Sequence, residues 1–490
     1  MTPTPAGASP TEALTAFVDQ RLAWSDPDAD GLEHTTVEVP RDYADPGGER
    51  LTLAVSRRRA TDPGRRRGIL LSVNGGPGGD GGLGTRLPLV LSPGVAAVHD
   101  LIGLDPRGTG GSTRLHSEVS VPRAPFDSRP PDSLFDQLAE DMRERERGCA
   151  RGGGDLREHI TTRNTARDMD LIRAVLGEAT LSFVGYAYGT YVGAVYGSMF
   201  PDHLDRSVLD SCVNPDWTWR EQFVTQAEAV YRNVELWAAW TAARHGTFGL
   251  GDTPEAVLGA VEDSADAIAR DHPEGVRMRT LFDGAVGTRA TDRSQWDSLA
   301  GLVGELLATT ADADHDRTRR LIAGEGTWRP QDAEGDLRIG VLEAITLETP
   351  WPTDLEVYAE DVRHHRARHP YGFGVLRAQP WVGAFRSFVS REAPTVIERR
   401  GYPVGLVVQA DGDPFDRVEG GETMAARLGH RLVLVTDSGE HELYGFVGNG
   451  PLDALVERYL VEGVLPAADV ELPSTVARPD VPADDRAVAA

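Results

Sequence analysis

GYAYGT, residues 185–190, decides how this chain is read. It follows the apolar run LSFV at 181–184 and precedes a small-residue stretch, 191–200, of helical character. A strand, a Gly-x-?-x-Gly turn and a helix make a nucleophile elbow, in which the central residue sits in strained backbone geometry between glycines that let strand and helix pack closely. An ordinary strand-to-helix turn needs no glycine on both sides, and here Gly185 and Gly189 supply both. Serine should occupy the centre. Instead it is Ala187, whose methyl group has nothing to attack with.

Working outward, residues 31–110 alternate short β-type runs with Gly/Pro turns, at 35–39, 51–55, 68–73 and 101–104. A helix is predicted over 165–176, where Ala166, Met169, Ile172, Val175 and Leu176 fall at helical spacing. From Trp217 to about Arg399 the chain reads as helix after helix, including 222–243 and 253–270, and strand and helix alternate again from Val404 to Leu460. These shifts predict an α/β core interrupted by a helical insertion. The expected units are an N-terminal segment over 1–29, a first core part over 30–215, a helical lid over 216–399, a second core part over 400–466 and a mobile Pro/Asp/Ala-rich tail over 467–490.

Composition narrows the function classes. With 490 residues and 40% hydrophobic content, the chain can bury a large core. A formal charge of −26 repels nucleic acid and anionic membrane, leaving a small molecule or short peptide as the expected partner. No stretch approaches the roughly 20 apolar residues of a membrane span. The N-terminus MTPTPAGASPTEALTAF lacks a basic start and an apolar run, so a cytoplasmic location is expected. All fixed cations are arginine. Cys149 and Cys212 are too few for a disulfide framework or a cysteine metal site.

Chemistry gathers in four places, of which the elbow is one. SVNGGPGGDGG, residues 72–82, follows a strand and lets backbone N–H groups approach a ligand closely, as an oxyanion loop requires. Gly76, Gly78 and Gly81 also fit GxGxxG, but Pro77 removes a donor and Asp80 opposes a phosphate, so no nucleotide cofactor is expected. LIGLDPRGTGGS, residues 101–112, puts Asp105 and Arg107 in a second glycine-rich turn, where a local ion pair bracing the turn is expected. VVQADGDPFD, residues 407–416, is a strand running into an acidic turn, and DSGEHELYG, residues 437–445, is another strand exit, carrying His441. Behind the elbow, Asp413 and His441 complete the order nucleophile, acid, base.

These stretches carry a resemblance. NGGPGG, DPRGTGGS, the segment from HITTRNTARDMDLIRAVLG through LSFVGYAYGTYVGAVYGSMFPDHLDRSVLD, and the late QADGDPFDRVEGGETMAARL…GEHELYG…YLVEGVLP together resemble the tripeptidyl aminopeptidase and proline iminopeptidase branch of the α/β-hydrolases. The resemblance spans about 30–215 and 400–466. It implies an α/β-hydrolase fold with a large helical lid inserted before the last core segments. It also implies cleavage of a peptide or related acyl bond next to a free N-terminus. Ala187 then occupies the nucleophile position, Asp413 the acid and His441 the base, with backbone N–H groups of Tyr188 and the Gly75-Gly76 turn forming the oxyanion hole. Asn74 stands where that branch usually has histidine. Glu440 and Glu442 flank His441 where glycines are more usual, so a raised histidine pKa is expected. The lid stretch 344–351 and the stretch 448–455 lack the cysteines of secreted relatives.

The lid selects a substrate poorly. Trp217, Trp219, Trp237, Trp240, Trp351 and Trp381 are either pocket lining or core, and Glu221, Glu235, Glu343 and Glu348 are either anchors for a substrate ammonium or solvated residues. RHHRARHP, residues 363–370, offers His364, His365 and His369, but three arginines crowd it and no HExxH glutamate appears, so no metal is expected. Three accounts of Ala187 remain open. A serine replaced by engineering, to hold bound substrate, leaves acid, base, loop and glycines intact, as found; this is the expected account. A natural pseudoenzyme binding a peptide-like ligand is the second, and a cofactor-free reaction with His441 as general base is the third. An ester or lactone hydrolase of a biosynthetic pathway is the alternative on the same scaffold.

Overall fold

The computed structural model describes residues 10–78, 82–322, 333–334, 336–372 and 374–484; Asp80 and Gly81 of the glycine loop, the first nine residues and the last six lie outside them. Nine strands form one sheet in the order β1-β2-β4-β3-β6-β7-β10-β11-β12. In chain order these are β1 (Glu33–Pro40), β2 (Arg50–Arg58), β3 (Ile69–Val73) and β4 (Asp100–Leu104), then, after a short β5 (His116–Glu118) outside the sheet, β6 (Leu181–Tyr186) and β7 (Leu204–Asp210). The short pieces β8 (Ala333–Glu334) and β9 (Leu337–Ile339) follow, then β10 (Leu406–Ala410), β11 (Arg431–Thr436) and β12 (Val470–Pro473). The β1-β2 and β2-β4 pairs are antiparallel and every other neighbour in the sheet is parallel.

Side-chain alternation explains why this sheet is covered on both faces. Ile69, Leu71 and Val73 of β3 face one apolar cluster with Leu181 and Phe183 of β6, beneath helices Thr162–Val175 and Tyr188–Met199. Leu70, Val184 and Tyr186 face the other cluster, with helices Pro93–Val98 and Gly450–Glu462. The helix read over 165–176 begins earlier, at Thr162, because Thr161 caps it by accepting from Asn164 N.

Between β7 and β10 the chain is mostly helical, and helices Gln226–Ala242, Pro254–Asp271, Gly275–Thr291 and Trp296–Ala311 pack around a separate apolar cluster. The helix read as 222–243 is two helices, Arg220–Val224 and Gln226–Ala242. β9 pairs with β5, tying this segment to the first core part. No helix among the described residues is long and apolar enough to cross a membrane.

Two expectations are corrected. The tail after Ala467 is not wholly loose, because β12 pairs with β11 over Val470–Pro473 and closes one edge of the sheet. Asp105 and Arg107 do not pair with each other. The Asp105 carboxylate accepts from Thr85 N at 3.1 Å and Gly111 N at 2.9 Å, bracing the turn through backbone. Arg107 turns inward, fully buried, to Asp168 of helix Thr162–Val175, at 2.7 Å and 2.6 Å.

Candidate active site

Ala187 joins β6 to helix Tyr188–Met199 with φ 48° and ψ −119°, a backbone region that costs a non-glycine residue about 1–3 kcal/mol. The surroundings hold it there. Ala187 N donates to Asp210 O of β7 at 3.0 Å, and Thr190 N donates back to Ala187 O at 2.9 Å. A side chain on Gly185 would strike the Gly189 carbonyl, and one on Gly189 would strike the Val73 carbonyl. Both glycines are therefore steric requirements of this turn.

A Cβ on Gly75 would lie 2.7 Å from Ala187 Cβ, so the glycine loop passes directly against the elbow. Tyr188 N opens its helix, where first-turn N–H groups have no intrahelical acceptor. Gly76, Ala187, Tyr188 and His441 line one cavity of about 440 Å³, with Gly75 immediately behind Ala187. The structure thus brings together the elbow, the loop and the histidine singled out in the sequence.

Asp413 stands at the exit of β10, and His441 Nδ1 lies 2.8 Å from its Oδ2 and 3.1 Å from its Oδ1. The carboxylate also accepts from Phe415 N and Asp416 N, which fixes its orientation. The loop bearing His441 is anchored from below by Asp210 at the end of β7. Asp210 accepts from Leu443 N and Tyr444 N, and Ser211 Oγ accepts from Glu442 N. Burial pushes the Asp210 carboxyl up to about 7 against those hydrogen bonds.

A second carboxylate meets the histidine. Asp416 Oδ2 lies 3.9 Å from His441 Nε2, while Asp416 Oδ1 accepts from Gln222 Nε2 at 2.6 Å. Burial, helped by Asp413 and Glu442, pushes Asp416 up to about 8. For His441 burial works the other way, yet Asp413, then Asp416 and Glu442, outweigh it and raise its pKa to about 10. The raised pKa was expected from the flanking glutamates; Asp413 and Asp416 contribute more than Glu442, and Glu440 is not among the groups responsible. Removing one of these charges is expected to reverse part of the shift. In Asp416→Asn, the His441 imidazole should titrate about one unit or more lower by NMR, and an unchanged midpoint would remove Asp416 from this account.

Other expectations meet different fates. None of the four lid glutamates lines the cavity. Glu343 is buried between Arg145 and Arg338, Glu348 is consumed by the backbone and hydroxyl of Thr162, and Glu221 and Glu235 are exposed. The carboxylates at the cavity wall are Asp416 and Glu442, from the sheet side. Of the tryptophans, Trp219 lines the cavity, Trp351 and Trp381 pack on Phe223, and Trp237 and Trp240 belong to the helical segment's own core. His364, His365 and His369 do come together, with His365 Nδ1 3.0 Å from His369 Nδ1. Arg363 and Arg366 swing away to Asp132, and none of the three histidines lines the cavity at Ala187.

The chain matches known proteins along most of its length. The alpha/beta hydrolase fold family matches residues 68–446. The chain is 31% identical to the tripeptidyl aminopeptidase of Streptomyces lividans over 459 residues, covering 89% of this chain and 82% of the relative. It is 27% identical to the serine protease Hip1 of Mycobacterium tuberculosis, covering 87% and 85%. It is also 27% identical to carboxylesterase B of the same organism, covering 88% and 84%. With an elbow between β6 and its helix, an acid and a histidine at later strand exits, and a family match across most of its length, the chain belongs to the α/β-hydrolase fold family.

Proposed function

We propose that this chain is a serine-hydrolase scaffold of the aminopeptidase type in a form without its nucleophile, a serine at 187 having been replaced by alanine. It binds a peptide-like substrate with a free amino terminus and leaves it intact. The observation that carries the reading is the His441–Asp413 pair, bonded at 2.8 Å and opening on the cavity that Ala187 lines. A dyad of this kind serves to take a proton from a neighbouring hydroxyl and return it to a leaving amine. Asp413 acts as the acid, His441 as the base, and Gly75, Gly76 and Tyr188 N–H groups as oxyanion donors. The peptidase names of two relatives support the bond type.

At the cavity wall, Asp416 and Glu442 are the groups suited to a substrate ammonium, whose positive charge would draw their raised pKa values back down and hold them ionised. Calorimetry on the protein as it stands tests this, using a free-amine tripeptide and its N-acetylated twin. Acetylation removes the cation and is expected to weaken binding tenfold or more, about 1.4 kcal/mol. Equal binding would discard the aminopeptidase reading. A second reading, ester hydrolysis by the same residues, is favoured by the carboxylesterase among the relatives, and equal binding would bring it forward.

A further inference from the structure

Arginine is the only fixed cation in this acidic chain, and several of its buried arginines are matched to anions. Arg107 meets Asp168, Arg129 meets Asp283 and Glu262, Arg145 meets Glu343, and Arg157 meets Glu146. Arg377, in helix Gly374–Ala378, is the exception at the cavity. It lines the same space as Ala187 and His441, yet among the described residues it makes no hydrogen bond or ion pair. Its guanidinium lies 4.7 Å from the Phe223 ring centroid, a contact that orients the head and leaves its N–H donors unused. Burial, with the neighbouring Arg145, lowers its pKa to about 10, which still leaves it charged at neutral pH. Arg377 is half-buried, so its unpaired guanidinium stays accessible from the cavity it lines and is available to an anion there.

We propose that Arg377 receives a carboxylate of the substrate, at the end of the cavity away from Asp416. The proposal rests on the peptide-binding reading given above. Helix Arg220–Val224 sets the polarity of the cavity through two consecutive residues. Gln222 donates to Asp416 on the sheet side, and Phe223 lies under Arg377. Consecutive helical residues point about 100° apart, so the acidic and the basic groups flank this helix on different sides. An ammonium directed to Asp416 and Glu442 therefore leaves an anion on the same molecule directed to Arg377. The cavity of about 440 Å³ limits the separation of the two charges. At about 3.5 Å per extended residue, it accommodates about two or three residues. The favoured ligand is a short peptide with a free amino end and a carboxylate within that reach, supplied either by its own C-terminus or by an acidic side chain. Guanidinium suits this task because its planar fork holds a carboxylate by two parallel hydrogen bonds.

Calorimetry with trialanine, trialanine amide and Ala-Glu-Ala amide separates the sources. Amidation of trialanine is expected to weaken binding tenfold or more; recovery with Ala-Glu-Ala amide would assign the carboxylate to a side chain, and no recovery to the C-terminus. In Arg377→Met, which keeps the apolar stem, all three peptides should bind alike while the urea midpoint stays unchanged. Loss of stability without loss of the amidation effect would mean that Arg377 only supports Phe223. The N-acetylated peptide tests the underlying reading independently: indifference to acetylation with sensitivity to amidation would retire the aminopeptidase reading and keep Arg377. An arm without peptide uses succinate, followed at the Arg377 Nε–H resonance. If amidation has no effect and succinate leaves that resonance unmoved, the proposal is overturned.

Discussion

Ala187→Ser is expected to yield a protein that a fluorophosphonate labels once, at residue 187, and that hydrolyses its substrate through an acyl-enzyme. The added Oγ cannot point back toward the glycine loop, because Gly75 is packed against Ala187 Cβ, and the cavity containing His441 is the open direction. The histidine is already oriented by Asp413, and on the proposed reading Tyr188 N and the Gly75-Gly76 turn supply the oxyanion donors. On the proposed reading the chain lacks one oxygen atom, without which no covalent intermediate forms. Mass spectrometry of the labelled protein checks this, and absence of an adduct in a folded variant would sink the serine-hydrolase reading. His441→Ala in the restored enzyme should cost about a thousandfold or more, since triad members act as a unit. The pH dependence follows from the histidine. A base must be neutral to accept a proton, and a pKa raised to about 10 keeps His441 protonated at pH 7. The kcat/KM of the restored free enzyme should therefore climb with pH well above 7, and Asp416→Asn should move that limb downward.

How much of this was legible from the sequence depended on how local the cause was. The elbow was readable because an apolar run and two glycines lie within a few residues of each other, even though the clash that requires Gly189 comes from Val73 at the end of β3. Strands β1 to β4 were readable for the same reason, as short β-type runs set off by Gly/Pro turns, with β3 and β4 buried along their length rather than alternating. Arg107 was not, because its partner Asp168 lies 61 residues away, while Asp105, two residues off, turns to backbone. β12 was hidden by its composition: a four-residue VELP strand at the sheet edge, half-exposed, carries little apolar signal. Asp416 stands three residues after Asp413 in the same acidic turn, and only its approach to His441 and its bond from Gln222 set it apart. Glu343 and Glu348 read as either substrate anchors or solvated residues and are neither, because the arginines and threonine that absorb them come from other segments. Arg377 was the least visible, since its meaning is the lack of a partner among the residues around it, which no stretch of sequence can display.

Arg107→Met is expected to lower the unfolding free energy by about 3–5 kcal/mol, the cost of leaving one buried charge without its counterpart. Arg107 is 1% exposed and Asp168 0%, and the pair is bidentate. The guanidinium also donates to the carbonyls of His159 at 2.9 Å, Arg41 at 3.2 Å and Pro40 at 3.3 Å. One side chain thereby fastens the end of β1, the turn after β4 and the entry to helix Thr162–Val175. Tyr43 Oη donates to Asp168 Oδ1 at 2.8 Å, so the carboxylate would keep a single hydroxyl donor once the arginine is gone. Burial already holds Asp168 above the ordinary carboxyl range even beside Arg107. Without the guanidinium its folded pKa must rise further, and a carboxyl whose pKa is raised by folding loses stability as pH climbs from its unfolded value, about 3.9, toward its folded one. The deficit of the variant should therefore be smallest near pH 4 and grow toward neutrality. Arg107→Met combined with Asp168→Leu removes both charges and should recover most of the loss at pH 7, because an apolar pair of similar volume needs no compensation. Urea unfolding of the three variants across pH 4–8 decides it. A loss below about 1 kcal/mol in Arg107→Met, or a deficit independent of pH, would show that the pair carries little of the stability of this junction.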